Sequence, residues 1–408
     1  MTATLSPQGA SDLRFLFPGC VLDLERVELV RAGRPVEIEP QVFEVLAHLI
    51  RNRNRVVGAD ELFEAVWHGR IVSLSTLTSR ISAARTAIGD TGSEQSLIKT
   101  IPRRGYRFIG SVTVDGGAAT APRSPTPLHQ DVQFCITSDG VRLAWSRVGT
   151  GRPIVKTGNW LNHIEYDWGS PVWSHVLHWL ARGRQLVRYD ARGNGLSDWD
   201  VSEISFDAFV RDLEAVVDAA GLDRFVLFGA SQGCAFSIAY AVKFPERVSK
   251  LVLYGGFARG RRLRGSAVDK EQADAMLTLM RTGWGQDNPA FRQVFTSLFV
   301  PGGTPEQMEW FNELQRKTTS PENAVRIRLV SDNMDIVDLL PRVQTSTLVL
   351  HCRDDAVQPF EEGRFLAANI PGARFVGLDG RNHLILEHDP GWSRFRQEID
   401  DFLSDPPS

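Results

Sequence analysis

The sequence predicts a two-domain protein, a small α+β unit followed by a larger α/β unit with a mostly parallel sheet. Three observations carry this. Residues 115–130, "DGGAATAPRSPTPLHQ", are rich in Gly, Ala, Pro, Ser and Thr and lack apolar periodicity, as a flexible linker does. Before them, short alternating runs give way to three helical patterns and a hairpin. After them, apolar runs alternate with amphipathic helices, which argues for parallel strands covered on both faces. At 408 residues the chain has room for both units, placed at 1–114 and 131–408.

The first unit opens with "LRFLF", "CVLDL", "VELVR" and "PVEIE", short runs separated by "PG" and "AGR", which read as a small antiparallel sheet. A helix from about Gln41 to Asn52 places Val42, Val45, Leu46 and Leu49 on one side. A second starts near Asp60 as N-cap, buries Leu62, Phe63, Val66 and Trp67, and stops at Gly69. A third starts after Ser75 and ends at Gly89, with Leu77, Ile81, Ala84 and Ile88 inward. "LIKTIPRRGYRFIGSV" then reads as two strands around a basic turn.

The outer face of the third helix presents Ser75, Ser79, Ser82 and Thr86, flanked by Thr78 and Arg85. Small hydroxyls allow close approach to a DNA groove, and arginine can reach phosphate or guanine. Residues 65–110 carry seven Lys/Arg against two acids, a net of +5, whereas residues 1–64 carry a net of −3. A local basic patch inside a near-neutral chain is a phosphate footprint; a solvated face is the bland alternative.

The four leading strands, "ELFEAVW", "STLTSRISAARTAIGD" and the hairpin ending "GYRFIG" together resemble the OmpR/PhoB-type winged helix-turn-helix domain across Leu13 to Val112. The resemblance implies DNA as partner, with Thr78, Ser79, Ser82 and Arg85 as recognition-helix contacts and Arg103 and Arg104 as wing contacts. It also departs from the common arrangement, since neither a receiver domain nor a membrane span accompanies this one.

In the second unit the strand-like runs are "PIVKTG", "QLVRYD", "RFVLFGA", "KLVLYGG", "TLVLHC" and "ARFVGLD". Amphipathic helices sit between several of them, such as Phe206 to Ala220 with Phe209, Val210, Leu213, Val216 and Val217. "GASQG", residues 229–233, stands between the strand "RFVLF" and the helix "CAFSIAYAV". Glycines flank Ser231 because a tight strand-to-helix turn leaves no room for side chains. A serine hydroxyl needs a base to take its proton and an acid to orient that base. Asp354 and Asp355 end the strand "TLVLHC", and His383 follows the last strand. Of the other histidines, His163, His351 and His388 read as structural.

From about Val132 onward the chain resembles α/β-hydrolase-fold proteins of the esterase, lactonase and haloperoxidase kind. The residues are "GASQG", "YDARGNGLSD", "PERVSKLVLYGG", "CRDDAVQP" and "LDGRNHLILEH". The resemblance implies an α/β hydrolase with catalytic Ser231, Asp355 and His383, the acid being the one four residues before proline. It places the oxyanion hole on the backbone N–H of Asn159 or Trp160 together with that of Gln232. "KTGNWLNH" departs there from the usual His-Gly pair.

The insertion at about 257–343 reads as a helical cap carrying Met276, Leu277, Met280, Trp284, Phe291, Phe295, Phe299, Trp310 and Phe311 at roughly helical spacing. Most of these are core; a subset roofs the site and favours an apolar or aromatic ligand. "FARGRRLRG" at the cap's entrance is either an anion-attracting run or a solvated one.

Composition bounds the rest. With 42% hydrophobic and 23% charged residues and a net charge of −3, the chain reads as a soluble globular protein rather than a nucleic-acid coat. Four dispersed cysteines form no CxxC pair, which fits a reducing cytoplasm, and the first residues lack a signal-peptide pattern. No membrane, metal or organic cofactor is expected. Two functions stay open: a DNA-binding transcriptional regulator whose hydrolase-type domain binds a small effector and has the residues to hydrolyse it, or a serine hydrolase with an accessory winged helix. A homodimer is expected from the way winged helices read paired half-sites.

Overall fold

Short strands lead the chain because Phe15, Phe17, Leu22 and Leu29 bury one face of a sheet while Leu16, Val21 and Val30 between and beside them are only half-buried. The computed structural model describes residues 14–24, 26–67, 72–102, 104–115, 130–286 and 288–404. The chain divides into two units, Met1–Arg123 and Ser124–Ser408.

In the first unit, β1 (Arg14–Phe17), β2 (Cys20–Asp23), β3 (Glu28–Arg31) and β4 (Arg34–Val36) pair antiparallel in sequence order. Three helices follow: α1 (Pro40–Arg51), α2 (Ala59–Trp67) and α3 (Leu74–Ile88). Then β5 (Ile98–Ile101) and β6 (Gly105–Phe108) form the hairpin. A strand absent from the sequence reading, β7 (Thr113–Asp115), returns to pair with β1. The expected apolar faces are buried, with Phe63 half-buried.

Two helix starts move. Asp60 lies inside the first turn of α2, where its charge complements the helix N-terminus. The α3 N-cap is Ser73, which accepts the N–H of Thr76; Ser75 is already helical. Gly89 ends α3 in the left-handed region at φ 78°. Gly69, the expected end of α2, lies outside the described residues, as does most of the expected linker.

The second unit is built on an eight-stranded sheet of described residues. Its strands are β8 (Asp131–Ile136), β9 (Arg142–Val148), β10 (Arg152–Lys156), β11 (Arg184–Tyr189), β12 (Phe225–Ala230), β13 (Val248–Tyr254), β14 (Thr347–Cys352) and β15 (Arg374–Leu378). Their order is β15-β14-β13-β12-β10-β11-β9-β8. The six apolar runs read from the sequence are the parallel strands; β8 and β9 add an antiparallel edge. Every residue of β12 and of β14 is buried, as parallel strands between two helical layers require.

Around the sheet run α4 (Ile164–Trp168), α5 (Ser174–Ala181), α6 (Phe206–Ala219) and α7 (Gly233–Lys243). Between β13 and β14 the chain inserts the cap helices α8 (Ala267–Gly283), α9 (Pro289–Phe299), α10 (Pro305–Thr318) and α11 (Pro321–Asn333). Two last helices, α12 (Phe360–Asn369) and α13 (Trp392–Ser404), complete the layers.

Strand β10 pairs with β11 on one side and β12 on the other. The order reverses there, and the C-terminal ends of β10 and β12 open the crevice in which α/β sheets place their sites. The loop after β11 is locked by charge. Arg192, fully buried, bonds Asp212 at 2.7 Å and Asp139 at 2.7 Å.

Candidate functional site

Ser231 sits between β12 and α7 with φ 54°, a left-handed conformation rare outside glycine and a local strain. The neighbouring glycines have steric causes. A Cβ on Gly229 would meet the Cys234 Cα at 2.8 Å, and one on Gly233 would meet the Gly158 carbonyl at 2.8 Å. The elbow is therefore pressed against the loop that leaves β10.

His383, in the loop after β15, has its Nε2 2.8 Å from Ser231 Oγ and its Nδ1 2.6 Å from Asp355 Oδ2. Asp355 follows β14, and its second oxygen accepts the N–H groups of Val357 at 2.8 Å and Gln358 at 3.0 Å. The structure brings together all three residues read from the sequence, and all three are buried. Burial works to raise the Asp355 carboxyl, but the charge and hydrogen bond of His383, with His351 and the Gln358 amide, outweigh it and hold it below the usual value. His351 is structural in the expected sense, donating to the Gln358 carbonyl at 3.0 Å, yet its Nε2 also lies 3.5 Å from Asp355. His163 caps α4, and His388 meets the Gly302 carbonyl.

Thr157, Asn159 and Trp160, in the loop after β10, are buried beside the elbow. The Thr157 N–H donates to the Phe228 carbonyl, and its hydroxyl pairs with Ser237 at 2.6 Å. The backbone amides of Asn159, Trp160 and Gln232 donate to no acceptor among the described residues, so all three are free to serve an oxyanion. The Asn159 side chain is committed elsewhere, accepting from Lys156 Nζ and donating to the Trp160 carbonyl at 2.9 Å. Lys156 escaped the sequence reading because only its charge inside an apolar run marks it. Its fully buried amine, 4.7 Å from the Trp173 ring centre, is pushed down to about 8 by burial against the pull of Asp167.

Part of the cap reaches the site. The Phe299 carbonyl accepts the His383 N–H at 2.9 Å, and the Phe299 ring lies 5.4 Å from the imidazole. Trp284 meets Trp160 edge-on at 5.9 Å. Leu277, Met280, Phe295 and Phe311 are core instead, Phe291 is partly buried against it, and Trp310 stacks on Tyr166 at 5.1 Å. The arrangement offers a nucleophile, a base, an orienting acid and unpaired amides beside the rings of Phe299 and Trp160.

A family model described as alpha/beta hydrolase fold matches residues 164–390. The chain belongs to that family. Among its hydrolase relatives is AB hydrolase superfamily protein YisY of Bacillus subtilis, 26% identical over 253 residues, covering 60% of this chain and 90% of the relative. Another is a 2-hydroxy-6-oxo-2,4-heptadienoate hydrolase of Pseudomonas putida, 25% identical over 302 residues, 68% of this chain and 99% of that one. A thermophilic esterase from Thermogutta terrifontis superposes with a TM-score of 0.55 at 25% identity, over 67% of this chain and 98% of its own.

A second family model, described as the C-terminal part of transcriptional regulatory proteins, matches residues 33–108. The α/β hydrolase is thus fused to a winged-helix DNA-binding domain. On α3, Ser75, Thr78, Ser79, Ser82 and Thr86 are exposed. Ser79, Ser82 and Thr86 border a groove that also holds Glu37 and Glu39. Arg85 corrects the sequence reading. It is buried, and its guanidinium donates to the Ile98 carbonyl at 3.0 and 2.7 Å and to Thr100 at 2.9 Å, so it ties α3 to the hairpin and presents nothing outward. Arg104 is exposed at the hairpin turn, and Arg103 lies outside the described residues. Lys99 and Arg107, both exposed, stand opposite each other across the hairpin. Like charges in register destabilise a sheet unless an anion lies over them, which adds this pair to the candidate phosphate contacts. Among the described residues, no helix is long and apolar enough to cross a membrane.

Proposed function

We propose that this protein is a DNA-binding transcriptional regulator whose α/β-hydrolase domain binds a small apolar or aromatic ester, lactone or amide and cleaves it at Ser231. The observation that carries the reading is the hydrogen-bonded line Ser231–His383–Asp355 on a strained elbow, in one chain with a winged helix.

The chemistry follows from the distances. His383 Nε2, 2.8 Å from Ser231 Oγ, takes the hydroxyl proton as oxygen attacks the substrate carbonyl. Asp355, ionised and fixed by two backbone amides, stabilises the imidazolium and keeps Nδ1 protonated. The amides of Gln232 and of Asn159 or Trp160 receive the oxyanion. His383 then protonates the leaving group, and water repeats the sequence on the acyl-serine. Phe299 and Trp284 favour an apolar acyl or leaving group.

Thr78, Ser79, Ser82, Arg104, Lys99 and Arg107 form the proposed DNA contacts, with Arg103 beside them in sequence, and a homodimer on paired half-sites is part of the reading. The test has two parts. A fluorophosphonate should label wild type and not Ser231→Ala, and duplexes selected from a random pool should bind with a steep salt dependence. The second reading, a hydrolase with an accessory winged helix, is favoured by the intact triad and the hydrolase relatives. It wins if ester turnover is found and no duplex is bound selectively under any ligand condition.

A further inference from the structure

Between the cap and the loop after β14 lies a cavity whose lining includes Asp355 of the triad and neither Ser231 nor His383. About 470 Å³ of space is walled by Arg261 and Arg264 on one side and by Met276, Leu279, Val294 and Leu298 on the other. Its volume suits a small ligand. Leu279 and Val294 keep 36% and 40% of their surface exposed, an unfavourable state for apolar side chains that a hydrocarbon would relieve.

The polar wall is equally unfinished. Arg264 has a side chain only 7% exposed and is paired with Glu362 at 3.6 Å. Arg261 has no carboxylate within ion-pair distance among the described residues, and its one hydrogen bond runs from Nη2 to the Val357 carbonyl at 2.8 Å. Burial, then the nearby charges of Arg328 and Arg264, press its guanidinium below its ordinary pKa. An incoming carboxylate would meet a desolvated, fork-shaped donor pair. Asp269 and Asp355 stand in the same lining and disfavour a second negative charge on the ligand.

We infer that this cavity binds a small apolar monocarboxylate, its carboxylate on Arg261 beside Arg264 and its hydrocarbon against Met276, Leu279, Val294 and Leu298. The site is wired to the triad. Arg261 holds the Val357 carbonyl and Arg264 holds the Gln358 side chain, while the amides of Val357 and Gln358 hold Asp355. An anion that draws on the two arginines therefore shifts the loop that positions the acid. This coupling rests on the hydrolase reading; the binding does not.

Calorimetry on the full chain tests the binding with octanoate as probe and 1-octanol as its uncharged control. Octanoate should bind saturably to wild type and equally to Ser231→Ala, at least tenfold more weakly to Arg261→Gln and to Met276→Trp, and octanol should bind far more weakly than octanoate. No saturable binding, equal affinity for octanol, unchanged affinity in either cavity variant, or loss in Ser231→Ala would overturn the assignment. Leu279→Trp fills the same space from an exposed position and replaces any variant that does not fold. For the coupling, saturating octanoate should change the fluorophosphonate labelling rate of Ser231 at least threefold, in wild type and not in Arg261→Gln. Binding with an unchanged rate overturns the coupling alone. Binding without labelling under any condition overturns the hydrolase reading and leaves the site standing.

Discussion

Replacing Asp355 by Asn changes one atom of the site and reverses the proton order behind Ser231. The N–H groups of Val357 and Gln358, 2.8 and 3.0 Å from Oδ1, both require an acceptor there. The new amide must therefore keep its oxygen on them and turn its NH₂ toward His383 Nδ1, now 2.6 Å from Oδ2. Two donors cannot face each other, so Nδ1 becomes the acceptor and the ring proton moves to Nε2. That nitrogen, 2.8 Å from Ser231 Oγ, then donates where it has to accept. A triad held in the wrong tautomer loses about 10⁴-fold in kcat, on the order of 5 kcal/mol of transition-state stabilisation. The assay is the rate of fluorophosphonate labelling together with p-nitrophenyl ester turnover. Asp354→Asn is the control, because that residue is tied to the fold through its backbone N–H to the Gly380 carbonyl, and it should stay near wild type. An Asp355→Asn protein within about tenfold of wild-type kcat would refute the tautomer reasoning.

Further outcomes follow from the same geometry. Gly233→Ala should cut kcat about 10²-fold while substrate still binds, because the added methyl, 2.8 Å from the Gly158 carbonyl, displaces the loop bearing the oxyanion amides; steady-state kinetics would read it. Asp212→Ala should destabilise the hydrolase domain by about 3–5 kcal/mol by leaving Arg192 buried without its inner partner, and lower its melting transition by roughly 10 °C. The Lys156 amine lies at about 8 in the folded protein, below its unfolded value of about 10.4. The unfolded state thus binds the extra proton between those values, and wild-type stability should rise relative to Lys156→Met as pH goes from 8 to 10; denaturant melts at the two pH values would show it. In the winged helix, Arg85→Ala should lower the melting transition, whereas Arg104→Ala should leave it in place and reduce the salt slope of DNA binding by about one.

The triad was legible because its chemistry forces local sequence. A nucleophile on a left-handed turn needs small neighbours, and the acid and base must end strands of a sheet whose apolar runs are plain. The six parallel strands were legible for the same reason, being buried on both faces. Strand β8 was not, since as the edge strand "DVQFCI" leaves most of its residues exposed, and β9, "RLAWSRV", was not because Ser146 and two arginines interrupt its apolar run although most of it is buried. Arg85 was misread by residue type: four residues after Ile81 and three before Ile88, it lies on the helix's buried side. Its charge suggested solvent, while the Ile98 carbonyl supplied the partner that burial required. The α3 start slipped by two because Ser73 and Ser75 are equivalent caps in sequence, and only the hydrogen bond to Thr76 separates them. Lys156 carries no motif at all, and its role beside Asn159 arises from a strand end meeting a loop.

If the protein is the regulator proposed, occupancy of Ser231 is read by the DNA-binding half of the chain. Fluorescence anisotropy on a selected duplex, with wild type before and after complete fluorophosphonate modification, tests it most directly. DNA affinity should then change by roughly 5- to 150-fold, the range of ordinary allosteric coupling, and should not change when Ser231→Ala receives the same treatment. Identical duplex affinity for the modified and unmodified protein, at matched salt, would contradict it and leave a hydrolase joined to a DNA-binding domain that does not sense it.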